Sequence, residues 1–406
     1  MGRRRRRAGR IRTFAGGLWV LALITGACGS DSGPAAGAGD EALVVAFMGP
    51  LTGDGANIGQ HMLNGVRLAV DRAEGGDRPV RLTVEAFDTQ LDPGQARSLA
   101  DRILEDRRVL GIIGPATSGE IKAVAPVFEE AGLPVVTPSA TNPDLARRGW
   151  RTFHRMVVND DVQSAEVARY ITGALGLIQV AIVHDNSEYG KGLADRTKAA
   201  LEARGVRVDP FESIDPKAAD YSAAVNMIRS RRAPAVFFVG IYDQAGRLVR
   251  QLHDAGVSVP FISGDGSKDP GIAAVAGEAA EGATVICGCA DLAADDDAEA
   301  KTFTAAYTAR FGEPPGTYAA ESYDAATLFV NAVRRGARTA AEVLAMIGPG
   351  MEPVDGLTKP LFFTDRGEIG GSTVYVYTFT RGHFTLVGTT EDAAGGTTRV
   401  GARHIP

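Results

Sequence analysis

The residues best suited to chemistry are a few hydroxyls and one acid placed at predicted strand ends. Val109–Ile113 is a short run of branched apolar residues, read as a buried parallel strand that Gly114-Pro115 ends. Ser118-Gly119-Glu120 opens a helix whose apolar positions recur at helical spacing through Phe128, and Gly132 caps it. Leu133–Val136 is the next strand, and Thr137-Pro138-Ser139-Ala140-Thr141 follows it with three hydroxyls in five residues. Strand, helix and strand bring two hydroxyl-bearing loops to one edge of a sheet, the carboxyl edge at which doubly wound folds bind ligands. The helix N-terminus there, with free N–H groups and a positive dipole end, suits a carboxylate. Ser118 and Thr141 offer hydroxyls to that end, and Ser139 its backbone. Tyr189 in HDNSEYG, Tyr242 in VGIYDQAG and Asp265 in ISGDGS follow later strands. Asp265 is the natural partner of an ammonium, since a desolvated carboxylate pairs strongly with a cation. Each tyrosine singly reads as readily as core packing, but their shared position at successive strand ends favours a cleft.

Other constellations dissolve on inspection. Gly53-Asp54-Gly55-Ala56-Asn57-Ile58-Gly59 sits between a strand and a helix, but its G-x-G-x-x-x-G spacing is one residue off the dinucleotide fingerprint, so it reads as a turn lining the cleft. Gly264–Lys268 lacks the spacing of a phosphate loop. Ser118 has Ala116 where a nucleophile elbow needs glycine. The six histidines stand apart, which argues against a metal site, and His184-Asp185 reads as a loop cap. Cys287-Gly288-Cys289 is either a local disulfide or two free thiols. No cofactor is implied, and catalysis is disfavoured.

The elements that position these residues alternate strand and helix from Leu43 onward, which predicts α/β architecture with parallel sheets covered on both faces. Residues 1–28 read as an export signal: seven arginines precede the apolar run Phe14–Ile24, which is too short to span a bilayer. It ends in Leu-Ile-Thr-Gly-Ala-Cys, which resembles a bacterial lipobox with Cys28 as lipid acceptor. Residues 29–41 (GSDSGPAAGAGDE) read as a flexible tether and 391–406 as a disordered tail. The body between is too long for one ordinary core and suits two Rossmann-like lobes. The chain carries a net charge of −6, and without the arginine-rich leader it is more acidic still, which argues against nucleic acid as a partner.

IIGPATSGE, then GLPVVTPSAT, then VAIVHDNSEYG, in that order, resemble the periplasmic leucine/isoleucine/valine-binding protein family, from Leu43 to about Val387. These are extracytoplasmic receptors of branched-chain amino-acid ABC transporters. The resemblance implies a type I periplasmic-binding clamshell whose chain crosses between lobes near 157–160, 287–291 and 364–370, forming a three-strand hinge. Lobe 1 would be 43–158 plus 291–363, and lobe 2 would be 159–290 plus 364–390. It implies that Ser118, Ser139 and Thr141 hold an amino acid's α-carboxylate and share its ammonium, and it places Tyr318, in GTYAAESYDAA, at the cleft rim. It implies a monomer on a lipid anchor, outside the cell membrane, delivering its solute to a permease. The chain departs from the family pattern in having Asp265 where glutamate is frequent, a shortened serine run after Thr117, and Ile58 where some relatives have an aromatic ring. A sensor on the same fold, or a site for short amides, urea or aromatic acids, are the alternatives.

Overall fold

The computed structural model describes residues 42–75, 79–292, 297–371 and 373–395. The expected export signal with Cys28, the expected tether at 29–41 and residues 396–406 of the expected tail lie outside the described residues. The chain begins with β1 (Leu43–Gly49), α1 (Ala56–Glu74), β2 (Leu82–Asp88), α2 (Pro93–Glu105), β3 (Val109–Ile113), α3 (Ser118–Ala131), β4 (Val135–Thr137), α4 (Asp144–Arg147) and β5 (Phe153–Arg155). Its five strands form a parallel sheet in the order β2-β1-β3-β4-β5. The inner strand β1 is buried on both faces, which is why its sequence runs apolar without alternation: Val44, Ala46 and Met48 join one core cluster, Val45 and Phe47 another.

The rhythm repeats with α5 (Asp160–Arg169), β6 (Gln179–His184), α6 (Glu188–Glu202), β7 (Arg207–Ser213), α7 (Ser222–Arg231), β8 (Val236–Val239), α8 (Tyr242–Asp254), β9 (Phe261–Ser263), α9 (Ile272–Ala276) and β10 (Thr284–Cys287). The chain then runs through α10 (Ala298–Phe311), α11 (Ala319–Arg334), α12 (Ala340–Ile347), the short pair β11 (Val354–Asp355) and β12 (Pro360–Leu361), and on to β13 (Tyr375–Thr380), β14 (His383–Thr389) and α13 (Thr390–Ala394). The second sheet has the order β14-β13-β10-β9-β8-β6-β7; β13 and β14 run antiparallel at its edge. Read from β7 to β10, its parallel part repeats the strand order of the first sheet. Two doubly wound sheets thus each have a switch point, between β1 and β3 and between β6 and β8.

Helix α11 follows the second sheet in sequence but packs on α1 of the first, so closely that a Cβ on Gly65 would stand 2.1 Å from the Ala319 carbonyl oxygen. The chain therefore passes between the two halves after β5, after β10 and before β13. These passages lie side by side: a Cβ on Gly288 would meet Val158, residue 155 bridges residue 368, and residue 363 bridges residue 369. The fully buried Arg155 guanidinium ties the first passage to the third, donating to both carboxylate oxygens of Glu368 (2.9 and 2.5 Å) and to the carbonyls of Ala140 and Asn142.

The first residues of the expected tail, 391–394, are instead helical. Thr389 caps Thr390–Ala394 with a reciprocal Asp392 contact, and buried Ala393 gives the turn an apolar face. Helix α5 runs on as a π-helical turn, Tyr170–Ala174. The glycine-rich loop is a turn, as read: Gly53 and Gly55 adopt left-handed φ of 74° and 72°, and a Cβ on Gly59 would collide with the Pro50 carbonyl. Among the described residues no helix is long and apolar enough to cross a membrane.

Candidate functional site

The carboxyl ends of both sheets open into one cavity of about 900 Å³. The first half contributes the loops after β1, β2, β3 and β4; the second contributes those after β6, β7, β8 and β9. Ile58, Leu91, Pro93, Ile241 and Pro216 supply apolar wall.

One end is built on the N-terminus of α3. Thr117, not Ser118, is its cap: Thr117 Oγ1 accepts from Glu120 N, and the Glu120 carboxylate accepts from Thr117 N and Oγ1. That box leaves Ser118 free for other work. Ser118 Oγ accepts from Asn142 N (3.2 Å), so its own proton remains to be donated, and the first-turn N–H groups of Ser118 and Gly119 have no acceptor within the helix. Ser139 Oγ donates to Ala116 O (2.7 Å), so this hydroxyl is spent locally and its backbone remains.

The other end is Asp265, 4 % exposed. Its Oδ1 accepts from Gln163 Nε2 (2.8 Å) and Tyr189 Oη (2.9 Å), and its Oδ2 accepts from Tyr318 Oη (2.5 Å). Burial pushes the Asp265 carboxyl above the usual range, and the three donors pull it back. Burial and the Asp265 charge raise both tyrosine hydroxyls, which keeps them protonated donors. Tyr318 caps α11 in a left-handed conformation (φ 65°), uncommon for a ring-bearing residue.

Ser118, Ser139, Tyr189, Asp265 and Tyr318 thus line one cavity. Thr141 and Tyr242 do not. Thr141 is buried one residue beyond the lining, with its side chain against Asp160. Tyr242 opens α8 with its ring packed into the core over Gly271, because the chain turns there with Ile241 and Gln244 toward the cavity. Its neighbour Asp243 instead accepts from Gly55 N (3.0 Å) across the cavity mouth. Lys122–Glu188 (2.9 Å) and Asn57–Asp269 (3.3 Å) also join the halves.

Two side chains escaped the sequence reading. Gln163, and Asp160 three residues before it, share a face of α5; the signal was D-D-V-Q in a first helical turn, indistinguishable from an ordinary polar helix start. Asp160 is fully buried, and burial pushes its carboxyl up to about 7, with Asp265 adding to the rise while Thr141, Arg155 and Arg196 oppose it. His184 and Asp185 are loop caps: His184 Nδ1 accepts from Asn186 N, and Asp185 Oδ1 accepts from Ser187 N and Oγ. Cys287 and Cys289 form a disulfide at the end of β10. Among the described residues no group of three or more acidic, histidine or cysteine side chains could hold a metal ion.

Two switch points facing a shared cavity, with the chain passing between halves three times, define the two-lobed type I periplasmic-binding fold. Residues 42–383 match the model of the periplasmic binding protein family. The Leu/Ile/Val-binding protein BraC3 of Rhizobium johnstonii is 35 % identical over 260 residues, 64 % of this chain and 70 % of that protein. The leucine-specific-binding protein of Salmonella typhimurium is 28 % identical over 366 residues, 89 % of this chain and 94 % of that one. The structure of the branched-chain amino acid transporter substrate binding protein LivJ from Streptococcus pneumoniae, in complex with isoleucine, superposes with a TM-score of 0.76 at 26 % identity, covering 85 % of this chain and all of that one. The chain belongs to the periplasmic binding protein family, in its branched-chain amino-acid-binding branch, a family of solute-binding proteins.

Burial of Asp160 carries a stability consequence. A carboxyl raised in the folded state holds its proton there more readily than in the unfolded chain, so stability declines as pH rises from about 4 to about 7 and stays reduced above. Asp160→Asn should therefore stabilise the ligand-free protein at about pH 8 by at most about 4 kcal/mol, with the gain fading toward pH 4. Thermal unfolding of both proteins across that range checks it; a destabilised variant at the alkaline end contradicts it.

Proposed function

We propose that this chain is an extracytoplasmic solute-binding protein that captures a branched-chain α-amino acid in the cavity and delivers it to an ABC transporter permease. The observation that carries this reading is the pairing, in one cavity, of an open helix N-terminus at Ser118 with the buried carboxylate of Asp265. A zwitterion brought out of water has two opposite charges, each needing a partner, and the cavity offers a buried partner to each: the open helix N-terminus at Ser118 and the carboxylate of Asp265. Ser118, Gly119 and the backbone at Ser139 take the carboxylate; Asp265, oriented by Gln163, Tyr189 and Tyr318, takes the ammonium. Urea, a simple amide or an aromatic acid would leave Asp265 desolvated without a cation. The apolar wall from Ile58, Leu91 and Ile241 receives the side chain. The chain binds and releases its solute without converting it, as a monomer and with no nucleic acid.

In this reading lobe 1 (43–158 and 291–363) and lobe 2 (159–290 and 364–390) close on the solute about the three passages, because only the closed form satisfies both ends of the zwitterion. Residues 1–28 are removed on export, and Cys28 carries the lipid that holds the body to the outer face of the membrane. Cys28→Ser should then be released from membranes or remain unprocessed; normal processing with full membrane retention contradicts the anchor.

Asp265→Ala strands a desolvated ammonium and should weaken L-leucine binding by about 2–5 kcal/mol, some 30-fold to several thousand-fold. Thr141→Ala, one residue off the cavity wall, should cost no more than about 1–3 kcal/mol. Calorimetry on both variants is the test. Unchanged affinity in Asp265→Ala rules out the ammonium contact and favours a neutral or purely anionic solute.

A further inference from the structure

Beside Asp265 lies a group of buried polar side chains short of donors. Both Asp160 carboxylate oxygens and Gln163 Oε1 are buried with no close hydrogen-bond partner, and the Thr141 hydroxyl turned toward Asp160 is a neutral donor. They belong together. The Asp160 amide donates to the Thr141 carbonyl (2.9 Å), their side chains face each other, and Gln163, one turn along α5, reaches Asp265 through its amide nitrogen. Buried polar atoms left unpaired are costly, and a native site that keeps several of one sign is waiting for its complement. One water has two protons to offer, too few for three acceptor oxygens beside a carboxylate that already has three donors. A primary ammonium brings three N–H groups and a positive charge.

We propose that Asp160 is a second carboxylate for the ligand's ammonium, which enters between Asp160, Thr141 and Asp265 and so is read by two acids rather than one. This rests on the amino-acid reading of the cavity and adds to it a requirement for a free primary amine. The surroundings allow Asp160 to ionise when the cation arrives. It stands at the first position of α5, where the helix dipole favours an anion. Arg155 from β5 and Arg196 from α6 oppose the Asp265 charge, and Tyr189 from α6 stays neutral. In the empty site Asp160 is therefore partly protonated near neutrality, and the incoming ammonium displaces that proton. Binding releases up to one proton, and affinity falls as pH drops below about 7, approaching tenfold per unit.

Calorimetry with L-leucine at about pH 8, 7 and 5.5, in buffers of different ionisation heat, reads both quantities. The native protein should release a fraction of a proton near pH 7 and bind more weakly in acid. Asp160→Asn, the variant expected to gain stability, should bind about 10- to 100-fold more weakly at pH 8 with no pH slope, and Asp160→Glu should restore the slope. N-acetyl-L-leucine, which has no ammonium, should not bind the native protein. Unchanged affinity in Asp160→Asn overturns the proposal, as does a native affinity flat across this range. A slope that persists in Asp160→Asn assigns the proton to Asp265 and overturns it too. If the native protein binds none of leucine, isoleucine or valine, the amino-acid reading falls and this proposal with it.

Discussion

The structure turns on one buried carboxylate. Asp265 follows β9 with 4 % of its surface exposed and, among the described residues, no cation bonded to it. Taking such a group out of water is tolerable only because neutral donors converge on it from three separate elements: Gln163 from α5, Tyr189 from α6 and Tyr318 from the start of α11. The first two belong to the wrapping of the second sheet. The third arrives on a helix packed against α1 of the first sheet. A single side chain therefore joins the halves while its negative charge stays available to a ligand.

That arrangement follows from topology. Two sheets with the same strand order have switch points of the same kind, and each ends in loops with free backbone and side-chain polar groups. Turned toward each other, they make a cavity lined by polar groups from both halves together with the apolar Ile58, Leu91 and Ile241. The passages of the chain at 156–159, 288–292 and 362–371 lie side by side, with Gly288 against Val158 and Arg155 paired with Glu368, so the halves are connected there. Across the mouth the halves are joined by Gly55 to Asp243, Asn57 to Asp269, Lys122 to Glu188 and Asp144 to Arg196, and the exposed ion pairs among these are individually weak.

Much of this was legible in the chain because local signals carried it. Apolar runs of branched residues fixed strands buried on both faces, Asp92-Pro93 marked the start of α2, and the loop hydroxyls and Asp265 stood where strands end. What was not legible depended on side-chain direction. Thr117 and Ser118 are both good caps, and only the reciprocal Glu120 contact decides for Thr117, leaving Ser118 to the cavity. Tyr242 opens a helix at a strand end like Tyr189, yet its ring turns into the core while that of Tyr189 reaches Asp265. Asp160 and Gln163 were invisible as site residues because their significance lies in a partner 102 positions away from Gln163. The last helical turn, Thr390–Ala394, escaped because five residues without periodicity form a helix only when a cap and a packing surface are supplied.

The central claim is that an amino acid is held by both halves at once. Small-angle X-ray scattering of the protein, free and saturated with L-leucine, tests it most directly. Closure about the three passages predicts a smaller radius of gyration at saturation. An unchanged radius, with binding demonstrated in the same sample, would mean a rigid pocket and contradict the account.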